Sequence, residues 1–255
     1  MNSLVLSIFL GCLAACAAGL VGAFALMKRT ILAGDVMSHI AIPGLGLAVI
    51  WNLNPLVGGG MTLLLGILLI WRLNAKTELS SEAAIGVLFA SSVAIGALLI
   101  NSTEQLVDAL FGGFTSLTTG DIVFGVVAAL VIIVALWILR NKFIIALFSP
   151  ELASATGINV NTMNLAFLLL FGLAILSSLR FLGALLVGSL IIIPASTARQ
   201  LTHSLSSFMA ASALLSVAAM LVGFWLSTQY GLQLGPTVVV VSALFFMASL
   251  FKKKK

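Results

Sequence analysis

Charged residues are scarce in this chain: only 7% of the 255 residues are Asp, Glu, Lys or Arg, whereas 62% are hydrophobic. The mean hydropathy is +1.27. A water-soluble domain of this composition would expose large apolar patches, which soluble monomers rarely do. The composition therefore excludes a soluble protein and predicts a polytopic membrane protein.

Cysteine and histidine are scarce too, with two residues of each. Cys12 and Cys16 share a helical face, but without a third thiol we expect packing residues rather than a copper(I) site, and no disulfide is indicated.

The chain also lacks the G-x-x-x-x-G-K-[ST] phosphate loop, so any ATP hydrolysis that it depends on must come from another polypeptide. The basic residues are scattered, and nucleic-acid binding is not expected.

Apolar runs long enough to cross about 30 Å of hydrocarbon follow one another almost without interruption. Each must be helical, because a segment in lipid has to satisfy its own backbone hydrogen bonds and no run alternates like a barrel strand. Gly11, Ala15 and Gly19 form a small-residue stripe that predicts close helix contact. We predict an all-α polytopic protein with one transmembrane domain over residues 1–255 and nine spans, at about 4–27, 34–51, 55–71, 83–100, 121–139, 161–178, 182–198, 206–227 and 235–251.

Lysine and arginine residues predict the orientation, because positive loops stay cytoplasmic. With nine spans and the N-terminus outside, 11 of the 12 basic residues fall on the cytoplasmic side, including the tail at 252–255. Only Arg180 falls outside. Eight spans would put the tail on the opposite side from Lys28, so nine spans are favoured.

Asp35 and His39 stand four residues apart in the second predicted span, in the sequence G-D-V-M-S-H. At this spacing the two side chains share a helical face and could hold one metal ion or one proton between them. An ionisable group at membrane depth costs roughly 2.5 to 3.5 kcal/mol, so it usually faces a bundle interior or a permeation path. Pro43 frees a carbonyl and predicts a kink beside the pair. The residues alone leave an alternative open, in which Asp35 pairs with Lys28 or Arg29 and His39 is a hydrogen-bonded core group.

Residues 149–157, S-P-E-L-A-S-A-T-G, predict a short helix between two spans. Ser149 suits the N-cap and Pro150 the first helical position. Glu151 complements the positive end of the helix dipole, and Gly157 suits a left-handed stop. Such a helix in the cytoplasm either docks a partner protein or is an ordinary interfacial connector.

On the opposite side, the longest loop runs over residues 101–121 and holds Glu104, Asp108 and Asp121 with no basic residue. A short helix is predicted at about 103–111. The loop either receives an external partner or is simply solvated.

An ordered set of motifs resembles the integral membrane permeases of zinc, manganese and iron ABC transporters. It covers essentially the whole chain, and its first and last motifs are the most specific. The motifs are G-L-V-G-A-F-A-L-M-K-R leading into G-D-V-M-S-H-I-A-I-P-G at 19–44, A-I-G-V-L-F-A at 84–90, L-F-G-G at 110–113, S-P-E-L-A-S-A-T-G-I at 149–158 and V-G-S-L-I-I-I-P-A-S-T-A at 187–198.

The resemblance implies a homodimeric permease of the type II ABC importer class in the bacterial cytoplasmic (inner) membrane. A separate ATPase would hold the ATP, and an extracytoplasmic metal-binding protein would deliver the ion. Asp35 and His39 would be ligands of the transported divalent metal, which would be zinc or manganese, with iron as a further candidate. The chain itself would bind no cofactor.

The same resemblance implies that the short cytoplasmic helix is a coupling helix seated on the ATPase. Leu152 and Ala153 would make the main contacts. The residues implied to contact the ATPase are Pro150, Glu151, Leu152, Ala153 and Gly157.

Two rival classes of function use the same residues differently. An ATP-independent secondary transporter or channel could use Asp35 and His39 with a proton as the coupling ion. Only two histidines in the chain argue against a zinc channel of the histidine-rich kind. An intramembrane enzyme would need a clustered nucleophile and base or several acidic metal ligands, and a single candidate pair is present.

Overall fold

The computed structural model describes residues 2–30, 32–76, 81–100, 119–184 and 186–251; the helix predicted at 103–111 and the tail at 252–255 lie outside this part. The described residues form helices and contain no strand, as predicted. The helices are α1 (Asn2–Met27), α2 (Leu32–Ile40), α3 (Ile42–Ile50), α4 (Pro55–Lys76), α5 (Ser81–Leu99), α6 (Thr119–Phe148), α7 (Pro150–Ala155), α8 (Val160–Leu182), α9 (Val187–Leu201), α10 (Leu205–Tyr230) and α11 (Leu234–Leu250).

Each of the nine predicted spans coincides with a helix, or with a pair of helices, in the described part of the chain. Three apolar stretches are shorter than a full membrane crossing, at Val36–Ile50, Ile85–Leu99 and Leu234–Leu250. Within the ranges that the structure describes, five stretches are long and apolar enough to cross a membrane, namely Val5–Met27, Pro55–Leu73, Thr119–Phe148, Val160–Leu179 and Leu205–Tyr230. The all-α polytopic architecture is confirmed.

The second predicted span, 34–51, is interrupted at a single residue, Ala41, whose φ of −74° and ψ of −21° stay in the helical region. It divides into α2 and α3 at Ala41, whose amide donates to the carbonyl oxygen of Ser38 at 3.3 Å in a tight turn. Pro43 has no amide hydrogen and cannot donate to the carbonyl of His39, so the helix cannot continue regularly through this point. The interruption therefore falls two residues after His39, the histidine that the sequence singles out.

The seventh predicted span, 182–198, begins too early. Gly183 has a φ of 72° and ends α8, with its amide donating to the carbonyl oxygen of Leu179 at 2.7 Å. The next helix, α9, starts at Val187 and has only 15 residues. It packs against α1, α2, α10 and α11. Because protein surrounds α9 on these sides, it need not match the full hydrocarbon thickness.

The fifth predicted span, 121–139, is much shorter than the helix that contains it, since α6 runs to Phe148. Arg140 and Lys142 mark the expected membrane boundary, but neither residue breaks a helix. The first strong breaker is Pro150, which begins α7. The charges thus predict where lipid ends, not where the helix ends.

Helices α1 and α10 pack closely against each other at the centre of the bundle. There α1 also contacts α6, α8 and α9. A Cβ atom on Gly19 would lie 2.6 Å from Ser216 Oγ and 2.7 Å from the carbonyl oxygen of Ser212. Ser212 Oγ in turn donates to the carbonyl oxygen of Gly19 at 2.6 Å. The helix contact predicted from the small-residue stripe is confirmed.

Candidate functional site

His39 lies in the last turn of α2, just before the break in the second span. Its side chain is only 8% exposed. The imidazole meets the ring of Phe89 from α5 edge to face, with ring centroids 5.0 Å apart and an angle of 75° between the planes. The imidazole is therefore inside the helix bundle, a position that fits either a path-lining ligand or a core group.

Ser38 joins this point of α2 to a second interruption in the helices. Its side chain is fully buried, and Ser38 Oγ donates to the carbonyl oxygen of Ala184 at 2.6 Å. Ala184 lies between α8 and α9, where the regular helical pattern of hydrogen bonds is lost. The two helix breaks thus meet beside His39.

Asp35 lies one turn before His39 in α2, as the sequence predicts, but its side chain is outside the described part of the structure. The metal-binding pair therefore stays a prediction. Among the described residues, no group of three or more His, Cys, Asp or Glu side chains could hold a metal ion. Cys12 and Cys16 are free thiols. The described residues of one chain do not build a closed structural metal centre.

Lys28 and Arg140 lie at the same end of the bundle. Lys28 lines a cavity of about 190 Å³ together with the end of α6 and the starts of α7 and α8. Arg140 lies beside the start of α10, where it lines a neighbouring cavity. Trp71 Nε1 donates to the carbonyl oxygen of Asn161 at 3.4 Å, which brings the end of α4 to the same end.

The opposite end carries Asn54 and Asp121, which line a largely apolar cavity of about 660 Å³ between α4, α6 and α8. Asp121 stands where the predicted loop meets the fifth predicted span; it lies in the first turn of α6 and is only 6% exposed. A carboxylate there complements the positive end of the helix dipole. In the described part of the chain, the ends of α1, α4 and α6 alternate as the nine predicted spans require, whereas the side that faces the cytoplasm stays a prediction.

Lys28 also shows how a cation is held at the membrane boundary. Its Nζ lies 4.8 Å from the centroid of the Phe167 ring, within the range of a cation–π contact. Burial lowers the pKa of Lys28 from 10.5 to about 8, because desolvation disfavours the charged ammonium.

The predicted short helix forms as α7, with Pro150 at its first position. The amide of Ala153 donates to the carbonyl oxygen of Ser149 at 2.9 Å, but the Ser149 hydroxyl makes no capping hydrogen bond. Gly157 has a φ of 77°, and the amide of Ile158 donates to the carbonyl oxygen of Ala153 at 2.8 Å. The left-handed stop predicted at Gly157 is confirmed.

The two faces of α7 differ in exposure. Leu152 is 54% exposed, and Pro150, Glu151 and Gly157 are exposed as well. Ala153 is fully buried and holds α7 against the bundle, where it contacts α6 and α8. Of the two main contacts that the resemblance implies, only Leu152 is accessible to a partner.

Ser38 is the residue of this region for which sequence analysis predicts no role of its own. Serine is frequent in the predicted spans, and most of the buried serine hydroxyls with a described hydrogen bond donate within their own helix, as Ser177 and Ser242 do. Only the fold reveals that Ser38 reaches a residue 146 positions further along the chain. In the sequence, the sole feature that could have drawn attention to Ser38 is its place directly before His39.

The chain is similar to known transport proteins over almost its whole length. The profile of the ABC 3 transport family matches residues 1–253. The high-affinity zinc uptake system membrane protein ZnuB of Haemophilus influenzae is 31% identical over 92% of this chain and 91% of its own length. The manganese transport system membrane protein MntC of Listeria monocytogenes is 29% identical over 93% of this chain and 86% of its own length.

A solved structure extends the likeness to the fold. PsaBC from Streptococcus pneumoniae, in complex with Fab, superposes with a TM-score of 0.86 and 27% identity, covering 97% of this chain and 91% of that chain. The bundle of apolar helices and these matches define the membrane-spanning permease of an ABC transporter. The chain belongs to the ABC 3 transport family.

Proposed function

We propose that this chain is the permease of an ATP-driven importer for a divalent transition-metal ion, zinc or manganese, with iron(II) as a third candidate. The observation that carries the proposal is the interior position of His39, one turn after Asp35 and directly before a helix break. Oxygen and nitrogen ligands suit both zinc and manganese. The relatives described above include a zinc system and a manganese system.

The ion passes Asp35 and His39 in a homodimer, where two copies of the pair supply up to two carboxylates and two imidazoles. A transport site must release its ion, so partial coordination with bound water suits it better than a closed set of ligands. The interruption between α8 and α9, where Ala184 accepts from Ser38, supports this role. Non-helical backbone at membrane depth is tolerated where it lines a cavity or lies within protein.

A separate ATPase drives the cycle and docks on α7 through Leu152. The exposure of Leu152 and the absence of a phosphate loop from the sequence support this assignment. Closure of the ATPase pair is relayed through α7 to α6 and α8, which α7 contacts.

The end of the bundle that carries Lys28 and Arg140 faces the cytoplasm of a bacterium, in keeping with the preference of positive residues for that side. The N-terminus is then outside and the C-terminus inside. The extracytoplasmic binding protein docks at the opposite end, where Asn54 and Asp121 lie.

The test is uptake of radioactive zinc and manganese by cells that lack their own uptake system and express this chain with its ATPase and binding protein. His39→Ala and Asp35→Asn should each lower uptake at least about tenfold, since even residues behind metal ligands usually contribute that much. His203→Ala is the matched control, because this second histidine is exposed in the turn before α10.

Equal uptake by His39→Ala, Asp35→Asn and the wild type would overturn the assignment of the path. Uptake that continues when the ATPase is inactivated would instead favour the ATP-independent transporter.

A further inference from the structure

A cleft of about 310 Å³ lies between the end of α6 and the start of α10. Leu20 of α1 and Leu136 of α6 contribute to its apolar lining, and Leu136 is fully buried. The volume is at the lower end of the range for ligand pockets, which is about 300–1,000 Å³. The cleft is separate from the region of His39, since none of the residues that line it belongs to α2.

Arg140 brings a positive charge to this cleft. Its guanidinium carbon lies 4.8 Å from the centroid of the Trp137 ring, one turn earlier on α6, in a cation–π contact. The acidic side chains that the structure describes are those of Asp121 and Glu151, and Arg140 forms no ion pair with either. The N–H groups of the guanidinium can therefore serve a ligand in the cleft.

The position of Arg140 along α6 sets its depth in the membrane. Arg140 is 21 residues beyond Thr119, where α6 begins at the opposite end of the bundle. At about 1.5 Å per residue, the helix between them is roughly 30 Å long, which matches the thickness of the hydrocarbon layer. The guanidinium is therefore at the level of the lipid head groups. Trp137 is 67% exposed and lies at the depth where tryptophan side chains usually meet the membrane interface.

We propose that this cleft binds an anionic phospholipid, whose phosphate pairs with Arg140 and whose acyl chain follows the apolar lining between α6 and α10. The planar guanidinium matches phosphate oxygens in a bidentate contact. Basic pockets between membrane helices bind anionic lipid head groups in this way. Asn141 and Ser206 line the same cleft and can donate further hydrogen bonds to the head group.

A phospholipid in this cleft would connect two helices at the end of the bundle that carries α7. Helix α6 continues past Arg140 to Phe148 and leads directly into α7. The lipid would hold this extension of α6 against the start of α10. The cleft would bind its lipid whether or not the chain transports a metal ion.

The direct test is native mass spectrometry of the full-length chain, titrated in detergent with phosphatidylglycerol or with phosphatidylcholine of the same acyl chains. Phosphatidylglycerol should bind the wild type more tightly than phosphatidylcholine. Arg140→Gln should weaken the binding of phosphatidylglycerol at least about fivefold, which is the effect of one basic residue beside an anionic head group. Lys142→Gln is the matched control, because Lys142 is an exposed cation two residues further along α6 and does not line the cleft.

Ala210→Phe tests the apolar part of the site without changing a charge. Ala210 lines the cleft, so a phenyl group there should occupy the space of the acyl chain and also weaken the binding of phosphatidylglycerol. Leu214→Phe is the control for this variant, because Leu214 is 69% exposed one turn further along α10 and does not line the cleft. Circular dichroism should show the same helix content in all four variants.

Equal binding of phosphatidylglycerol by Arg140→Gln and Lys142→Gln would overturn the proposal, and so would equal binding by Ala210→Phe and Leu214→Phe. Equal affinities of the wild type for the two lipids would do the same, since the charge of the head group would then not be recognised. Inorganic phosphate should not displace the lipid, because it cannot fill the apolar part of the cleft. Displacement by phosphate would identify a site for a free anion and would also contradict the lipid assignment.

Discussion

Replacing Leu152 with Asp should detach the ATPase from this permease while leaving the membrane bundle folded. Leu152 is 54% exposed on α7, whereas Ala153 beside it is fully buried. The substitution therefore changes the exposed surface of α7 rather than its contact with the bundle.

The size of the effect follows from the exposure of Leu152. Burying a whole leucine side chain contributes about 1.5–3 kcal/mol, so roughly half of that, about 1–1.5 kcal/mol, remains for a partner to gain. A carboxylate left without a partner in the interface costs about 1–3 kcal/mol more. The sum of about 2–4.5 kcal/mol corresponds to roughly 30- to 1,600-fold weaker binding.

The assay is a titration of the purified ATPase against the permease in lipid nanodiscs. Leu232→Asp is the matched control, because Leu232 is 53% exposed but lies in the turn between α10 and α11, at the opposite end of the bundle. Leu152→Asp should lose affinity and Leu232→Asp should not. Equal affinities for both variants would show that α7 is not the docking site.

Two further predictions concern the bundle itself. Gly19→Leu should lower the unfolding temperature, because a Cβ atom there meets the backbone of α10 and overpacking destabilises a fold by about 1–3 kcal/mol. Gly86→Leu is the control, since a Cβ atom on Gly86 would have nothing within 4 Å. Equal unfolding temperatures for the two variants would contradict the close packing of α1 against α10. Burial lowers the pKa of Lys28 to about 8. The free-energy cost of burying the charged ammonium is therefore largest below pH 8 and disappears above pH 10.5, where Lys28 is neutral in the unfolded chain as well. Lys28→Met should therefore be more stable than the wild type by at most about 3 kcal/mol below pH 8, and thermal unfolding across pH should find this gain vanishing toward pH 10.5; a gain independent of pH would refute the desolvation argument.

Composition and apolar run length were sufficient to predict the class of fold, because every helix in lipid must satisfy its own backbone. Helix ends were harder to predict. The long helix α6 continues past Arg140 and Lys142 because charges end a membrane segment without ending a helix. The start of α9 was missed since Gly183, rather than any polar run, sets the boundary.

The candidate site likewise has some features that the local sequence predicts and others that depend on tertiary packing. Local rules predicted α7, whose proline start and glycine stop are encoded within a few residues. Spacing alone identified His39, and the fold confirms that it is interior. The contact of Ser38 with Ala184 depends on the packing of α2 against the segment between two distant helices, which no local pattern encodes. The burial of Ala153 likewise depends on tertiary packing.

The most direct measurement of the central claim is the anomalous scattering of manganese or zinc in crystals of the metal-loaded protein. We expect an ion at about 2.0–2.2 Å from an imidazole nitrogen of His39, with a carboxylate oxygen of Asp35 at a similar distance. An ion bound elsewhere in the membrane region, with His39 turned away from it, would contradict the account.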